Sequence, residues 1–414
     1  MPRRSQPHLA AAGRSASPIG SFPFAEGTPA SAPAPGFRPP AWTGLQDSRA
    51  RPPGGTRPPP ALRLPAVTVP AAAGSALPHD HGEPPSGTGP PAASGAFSYL
   101  GGDANTGTGS LPAVAGGLLR RQGTFTGRVT RDGSSGFAAE PARYQLYASL
   151  ACPWSQRILI ACRLLGLDRI IGLTLTDPVA DERGWRFSDD GSDPITGARF
   201  LAELYRATDP HYPGPFTVPL LWDLRAGRIV SNDVTQLGVM LEIELRAFHR
   251  PGAPDLYPSA RRSEIESLAT LIYHTVNTGV YKAGLATDQA SYDQAVEAVF
   301  TTLDALEERL ARRRFLLGGM LTEADIRLYP TLARFDPVYY QLFNCNLRRL
   351  CDYQQLWGYA RDLYTHPGFG ETTDLAQIKR HYFLSPEWGN TSGIIPAGPQ
   401  LSWNEPHGRA RMLG

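Results

Sequence analysis

Apolar and polar positions along the chain change their period sharply at one point. Residues 144–149 are mostly apolar and end just before the pair Cys152-Pro153, after which apolar side chains recur at helical spacing as far as Leu165. Proline suits the first turn of a helix, because the amide that it lacks has no partner inside the helix. The pattern therefore predicts a strand over 144–149 and a helix from Pro153 to Leu165.

The same reading gives the elements that follow. They are strands over 170–176, 216–223 and 228–230, a short helix over 200–206, a polar insertion over 177–197 and a helix that begins near Leu237. After a linker over 251–258, the pattern is helical throughout. This order predicts an α/β thioredoxin-like domain over 141–250, an all-α domain over 259–385 and a tail over 386–414. Within the helical part, Thr322 and Asp325 have the spacing of a capping box.

The first 95 residues differ in composition from the rest of the chain. They hold 21 of the 40 prolines, among Ala, Gly, Ser and Arg. Such a segment buries too little apolar surface to offset its conformational entropy, so 1–95 is expected to be a disordered extension. The alternatives are a transit peptide, which the missing amphipathic period disfavours, and translation assigned from too early a start.

Charge and cysteine content exclude several classes of function. The net charge of +2 indicates no nucleic-acid partner, and no apolar run reaches the roughly 20 residues that a membrane span needs. The four cysteines match neither a zinc signature nor a disulfide framework, so no metal is expected. A reducing cytoplasm is the simplest location.

Cys152 is the candidate nucleophile. At the start of a helix, the dipole and the free amides favour the thiolate, which is the reactive form of cysteine. Because Ser155 occupies the place of a second redox cysteine, the site would need an external thiol to form and to resolve a mixed disulfide. A buried structural cysteine is the alternative.

From about residue 136 to the C-terminus, the chain resembles the glutathionyl-hydroquinone reductases, the xi class of the glutathione transferase superfamily. The motifs that carry the resemblance are Ala151-Cys152-Pro153-Trp154, Gly184-Trp185-Arg186-Phe187, Thr217-Val218-Pro219, Asn277-Thr278-Gly279-Val280-Tyr281, Thr322-Glu323-Ala324-Asp325 and Arg334-Phe335-Asp336-Pro337-Val338-Tyr339. The resemblance implies the glutathione transferase fold, an N-terminal arm over 96–140 and a homodimer.

The activity that the resemblance implies is reductive cleavage of a thioether between a small thiol and a hydroquinone. Cys152 would attack the thioether sulfur, hydroquinone would leave, and a second thiol would release the mixed disulfide. By the same resemblance, Trp185 packs on the thiol cofactor and the backbone of Val218, before a cis-Pro219, pairs with it. Tyr281 and Tyr339 would contact the oxygen of the quinone-type substrate.

One segment departs from the family pattern. Glutathione-binding members carry Glu-Ser at the start of the helix after the fourth strand, where this chain has Asp233-Val234. Asp233 keeps a carboxylate, but Val234 has no hydroxyl to hold the γ-glutamyl carboxylate. Leu342 also stands where many members have His. Together with the bias toward arginine, which makes up 38 of the 40 basic residues, this is similar to actinobacterial relatives. Because those organisms generally use mycothiol, the sequence favours mycothiol over glutathione as the thiol.

Two other functions stay open at this point. The chain could be a conjugating transferase in which Cys152 only orients a thiol, or a binding protein that keeps the fold without catalysis. Trp185 and Trp154 could both be ordinary core aromatics, and for Trp185 the core and the ligand role are equally consistent with the sequence. Arg334 and Asp336 are expected to form a structural ion pair.

Overall fold

The computed structural model describes residues 123–181, 183–187 and 191–412. The predicted disordered extension over 1–95 lies outside the described residues. The predicted arm over 96–140 is described only from residue 123 onward.

Six strands form two sheets in the described part of the chain. Their bounds are β1 Val129–Thr130, β2 Phe137–Ala138, β3 Tyr144–Ala148, β4 Ile171–Leu175, β5 Leu220–Asp223 and β6 Arg228–Ser231. The first two strands pair in parallel, and the other four form one mixed sheet in the order β4-β3-β5-β6. Strand β3 runs parallel to β4 and antiparallel to β5, and β6 is antiparallel to β5. The predicted βαβ…ββ order is confirmed.

Ten helices complete the described part of the chain. They are α1 Pro153–Leu165, α2 Leu201–Thr208, α3 Val234–Ile243, α4 Arg262–Ile272, α5 Gly279–Gly284, α6 Gln289–Leu310, α7 Glu323–Arg334, α8 Tyr340–Leu342, α9 Gln354–Tyr364 and α10 Leu375–Leu384. Two π-helical turns, Tyr273–Asn277 and Phe335–Tyr339, follow α4 and α7. None of the helices in this part of the chain is long and apolar enough to cross a membrane.

The strand predicted over 216–223 is shorter than expected. Strand β5 starts only at Leu220, because the preceding residues are held by a side chain instead of by a neighbouring strand. The hydroxyl of Tyr205 donates to the carbonyl of Thr217 at 2.7 Å and accepts its N–H at 3.2 Å. Pro219, which has no N–H, then separates this anchored loop from the sheet.

Helix α1 connects the α/β part of the molecule with the helical part. All but one of its residues are buried. It packs against α3 on one side and α7 on the other, within a hydrophobic core that runs through both parts. Its end is fixed at Gly166, whose φ of 74° is the left-handed value that glycine allows. The start of α1, with Cys152, therefore lies at the boundary between the two parts.

Helix α7 begins as the sequence predicts. Asp325 accepts hydrogen bonds from the N–H of Thr322 at 2.8 Å and from its hydroxyl at 3.0 Å. The same carboxylate accepts the N–H of Leu316 at 2.9 Å and the hydroxyl of Tyr359 at 2.8 Å. The capping box thus also ties the start of α7 to two neighbouring segments.

Candidate active site

Cys152 is the N-terminal cap of α1. Its backbone is extended, and its carbonyl accepts the N–H of Gln156 at 3.1 Å. The side chain is 6% exposed, and Sγ lies 3.6 Å from the carbonyl oxygen of Val218. The peptide bond between Val218 and Pro219 is cis. Three of the predicted site residues, Cys152, Val218 and Pro219, therefore lie together.

The acidity of Cys152 differs from the sequence-based expectation. Burial raises the pKa of its thiol, which is the larger effect, because a buried anion loses its hydration. The N–H and hydroxyl of Ser155, the charge of Arg334 and the N–H of Trp154 lower the pKa of Cys152, but by less. The helix start thus acts in the predicted direction, and burial outweighs it.

The other three cysteines have raised pKa values, as Cys152 does, and none of them is the N-terminal cap of a described helix. All four cysteines are free thiols. Burial raises the pKa of Cys162, that of Cys345 to about 12 and that of Cys351 to about 11. The described part of the chain contains no group of three His, Cys, Asp or Glu side chains arranged to hold a metal ion.

Three tyrosine hydroxyls meet in the helical part. The hydroxyls of Tyr281 and Tyr382 lie 2.5 Å apart, and that of Tyr339 lies 3.2 Å from the first and 3.1 Å from the second. All three side chains are fully buried, and burial raises the pKa of each phenol. The charge of Cys152 acts on Tyr339, so this tyrosine trio lies within electrostatic reach of the thiol. Tyr340 lies half-buried outside the trio.

Trp185 lies beside a histidine that the sequence analysis did not single out. Its ring stacks on that of His381 at 5.0 Å between centroids and 22° between planes. Nδ1 of His381 donates to the carbonyl of Pro178 at 2.9 Å, and Nε2 accepts from the indole N–H of Trp388 at 3.3 Å. Burial lowers the pKa of His381 to about 3, so the ring is neutral.

Sequence reasoning missed Tyr382 and His381 because they are ordinary members of an amphipathic helix. Helix α10 carries them as neighbours near its C-terminal end. The one available signal was a pair of adjacent ring side chains in a segment with little other chemistry.

Asp233 and Val234 lie at the start of α3. A carboxylate oxygen of Asp233 accepts the N–H groups of Thr235 at 3.0 Å and Gln236 at 3.2 Å, so it caps the helix. Val234 lines a pocket between the α/β and helical parts. The carboxylate that the sequence predicts for cofactor binding is thus already engaged in holding its own helix.

This pocket also contains charged groups of both signs. Arg157 of α1 and Glu323 of α7 line it, together with Val234. The guanidinium of Arg157 lies 4.4 Å above the ring of Trp154, while its Nε and Nη2 atoms have no hydrogen-bond partner among the described residues. One carboxylate oxygen of Glu323 likewise has none. Trp154 therefore supports a pocket side chain as well as packing in the core.

The expected ion pair between Arg334 and Asp336 does not form. Asp336 accepts the N–H groups of Leu350 at 2.5 Å and Cys351 at 3.1 Å. Arg334 turns instead toward the loop before Cys152 and donates to the carbonyl of Ala151. The π-helical turn that begins at Phe335 separates the two side chains, which the sequence spacing alone does not reveal.

Comparison with known proteins finds close relatives over most of the described chain. A family model of the glutathione S-transferase C-terminal domain matches residues 289–362. The glutathionyl-hydroquinone reductase YqjG of Escherichia coli K12 is 44% identical over 314 residues, which cover 73% of this chain and 95% of that protein.

Two solved structures have the same fold. YqjG of E. coli K12 with bound glutathione is 45% identical, with a TM-score of 0.67 over 69% of this chain and 96% of that one. A glutathione transferase from the actinobacterium Gordonia bronchialis is also 45% identical, with a TM-score of 0.68 over 69% of this chain and 90% of that one. The predicted fold class is confirmed.

Proposed function

The chain belongs to the glutathionyl-hydroquinone reductases of the glutathione transferase superfamily, and we propose that it cleaves the thioether of a thiol–hydroquinone conjugate with Cys152 as the nucleophile. The observation that carries the proposal is the position of the Cys152 thiol. It lies at a helix start, against the cis-proline loop and within electrostatic reach of the tyrosine trio.

In the first step, the Cys152 thiolate attacks the thioether sulfur. A sulfur–sulfur bond forms and the sulfur–carbon bond breaks, and the electron pair of that bond passes to the ring carbon, which takes up a proton. Free hydroquinone leaves, and Cys152 is left in a mixed disulfide with the small thiol. In the second step, another molecule of the thiol attacks that disulfide. The thiol disulfide leaves, and Cys152 returns to the reduced state.

The tyrosine trio has a definite role in the first step. The ring carbon takes up a proton more easily when a hydroquinone oxygen carries part of the developing charge, and a hydroxyl that donates to that oxygen stabilises this charge. Tyr281, Tyr339 and Tyr382 offer hydroxyls that already share protons with one another. Tyrosine is protonated at neutral pH, and burial raises the three pKa values further, so the hydroxyls act as donors to a substrate oxygen.

The thiol lies between Cys152 and the start of α3 in this proposal. Trp185 packs on it, the backbone of Val218 pairs with its peptide portion, and its far end enters the pocket beside Asp233 and Val234.

Two observations bear on which thiol is used. Arg157 and Glu323 suit the carboxylate and ammonium of a γ-glutamyl group, so they support glutathione. Val234, which has no hydroxyl, supports mycothiol. Because YqjG has been observed with bound glutathione, glutathione is the first choice, and mycothiol, which the sequence favours, is the alternative. The homodimer and the cytoplasmic location implied above remain part of the proposal.

A conjugating transferase is the second candidate, and one observation favours it. Because burial raises the pKa of Cys152, the side chain can act as a neutral hydrogen-bond donor that orients the thiolate of the cofactor. Such an enzyme would form a thioether and would never carry a covalent adduct on Cys152.

Intact-protein mass spectrometry separates the two candidates. The parent protein, Cys152→Ser and the matched control Cys351→Ser are each incubated with a glutathionyl-hydroquinone and with a mycothiyl-hydroquinone. We expect the mass of one thiol on the parent and on Cys351→Ser, none on Cys152→Ser, and release of the adduct by the free thiol. The conjugate that gives the adduct identifies the thiol. If neither conjugate gives one while Cys152 is still alkylated by iodoacetamide, the reductase proposal is wrong.

A further inference from the structure

Arg334 is a fully buried cation whose hydrogen bonds all go to neutral groups. It is the last residue of α7 and is 0% exposed. Nε and Nη2 donate to the carbonyl of Ala151 at 3.1 and 3.0 Å, and Nη2 also donates to that of Leu150 at 3.1 Å. Nη1 donates to Oε1 of Gln156 at 2.5 Å and to the carbonyl of Pro330 at 2.9 Å. Every nitrogen of the guanidinium therefore donates to a neutral oxygen, but no negatively charged group in the described part of the chain balances its charge.

Of the other four buried arginines of the described chain, Arg143 and Arg327 have carboxylate partners, whereas Arg157 and Arg409 have none within 4.0 Å. Arg143 lies 2.6 Å from Asp223, and Arg327 lies 2.9 Å from Glu323. No Asp or Glu side chain of the described residues lies within 4.0 Å of the Arg334 guanidinium. Burying an unpaired charge is unfavourable, so an arginine in this position needs another reason to be retained.

We propose that Arg334 is a positioning residue for the reductase reaction: it holds the loop before Cys152 in place and supplies the positive charge that balances the Cys152 thiolate and a substrate oxygen at the tyrosine trio. The inference rests on the proposed function, because only a reaction that passes through anions at both places uses such a charge. Its two acceptors in the loop, Leu150 and Ala151, immediately precede the nucleophile.

The positive charge of Arg334 lowers the pKa values of neighbouring acidic groups, as expected for a cation. It lowers the pKa of Cys152 and acts in the same direction on Tyr339 and Tyr382, although burial dominates all three. Arg157, on the same helix, also interacts electrostatically with Cys152. The charge of Arg157 is opposed by the nearby Glu323. Among the causes that shift the pKa of Cys152, Arg334 is thus the cation that lowers it.

The pH dependence of Cys152 alkylation tests this inference. Iodoacetamide labelling of Cys152 is followed by peptide mass spectrometry from pH 6 to 11 in the parent, Arg334→Met and Arg334→Lys. Arg334→Met is expected to raise the midpoint by one pH unit or more, which is about a tenfold loss of thiolate at neutral pH. Arg334→Lys keeps the charge and is expected to stay much closer to the parent.

A control and a second variant keep the test decisive. Arg409→Met removes another buried arginine that binds backbone carbonyls, including that of Leu310 at 2.9 Å, and should leave the Cys152 midpoint unchanged. Gln156→Glu keeps the side-chain shape and places a carboxylate against the Arg334 guanidinium. It is expected to raise the midpoint, because the new carboxylate cancels the charge of Arg334 and itself disfavours the Cys152 thiolate.

An unchanged midpoint in folded Arg334→Met would overturn the inference. If that variant does not fold, an unchanged midpoint in Gln156→Glu has the same meaning. The assay uses no hydroquinone, so its result is independent of the adduct experiment. The alkylation midpoint of Cys152 could shift in these variants while the parent forms no thiol adduct on Cys152. That result would mean that the proposed reaction is wrong and that the electrostatic effect of Arg334 is real.

Discussion

Burial of His381 makes the folding stability depend on acid in a way that can be worked out from the structure. The ring is 4% exposed, and burial lowers its pKa from 6.5 to about 3. Below about pH 6.5 the histidine of the unfolded chain takes up a proton that the folded ring refuses. The free energy of unfolding therefore falls as the pH is lowered, by about 1.4 kcal/mol per pH unit until the folded pKa is reached. Between pH 6.5, where the unfolded histidine is already half protonated, and pH 4.5 the loss is about 2.3 kcal/mol.

A neighbouring carboxyl acts in the opposite direction. Burial raises the pKa of Glu387 to about 7, and this side chain lies 3.6 Å from Nε2 of His381. Its folded form takes up a proton before its unfolded form does, so lowering the pH from 7 to 4.5 stabilises the fold through Glu387. A difference between variants is needed to isolate the histidine.

The assay is urea unfolding at pH 6.5 and 4.5 of the parent, His381→Asn and the control His211→Asn, which changes an exposed histidine. Asparagine can still donate to the carbonyl of Pro178, but it does not titrate. The parent and the control should lose about 2.3 kcal/mol more than His381→Asn over this pH range. Equal losses in the parent and in His381→Asn would refute the reasoning.

Three further outcomes follow from contacts at the site and in the core. Tyr382→Phe should lower kcat for a thiol–hydroquinone at least tenfold, whereas the half-buried Tyr340→Phe should not; equal rates would remove the trio from the reaction. Val234→Ser should lower KM for a glutathione conjugate about tenfold, since a hydrogen bond to a charged group contributes about 1.5–3 kcal/mol, and an unchanged KM would favour mycothiol. Asp325→Ala should cost about 3 kcal/mol of unfolding free energy in urea titrations; a cost below about 1 kcal/mol would mean that the cap at Thr322 is replaceable.

Short sequence patterns were enough to predict the secondary-structure elements that position the site. The change of period at Cys152-Pro153 indicated the strand and helix that hold the thiol, and the Thr322–Asp325 spacing indicated the start of α7. Both signals depend on residues within one turn of each other, where spacing alone decides the geometry.

Long-range partners were not accessible in the same way. Tyr382 joins Tyr281 across 101 residues of sequence, and Arg334 reaches Ala151 across 183. Such pairs arise from the packing of α10 and α7 against other elements, and the hydrophobic period of a helix does not say which partner it meets. The direction of the Cys152 pKa shift was missed for a similar reason, because burial depends on the whole fold.

The burial of Cys152 has a consequence for the durability of the protein. Peroxides oxidise the thiolate far faster than the thiol, and oxidation beyond the sulfenic acid is irreversible for most proteins. In the absence of substrate, the Cys152 thiol is protonated and only 6% exposed, so it is protected from such oxidation. Among the four cysteines only Cys351 is partly exposed, so surface oxidation or cross-linking between molecules would begin there and spare the nucleophile.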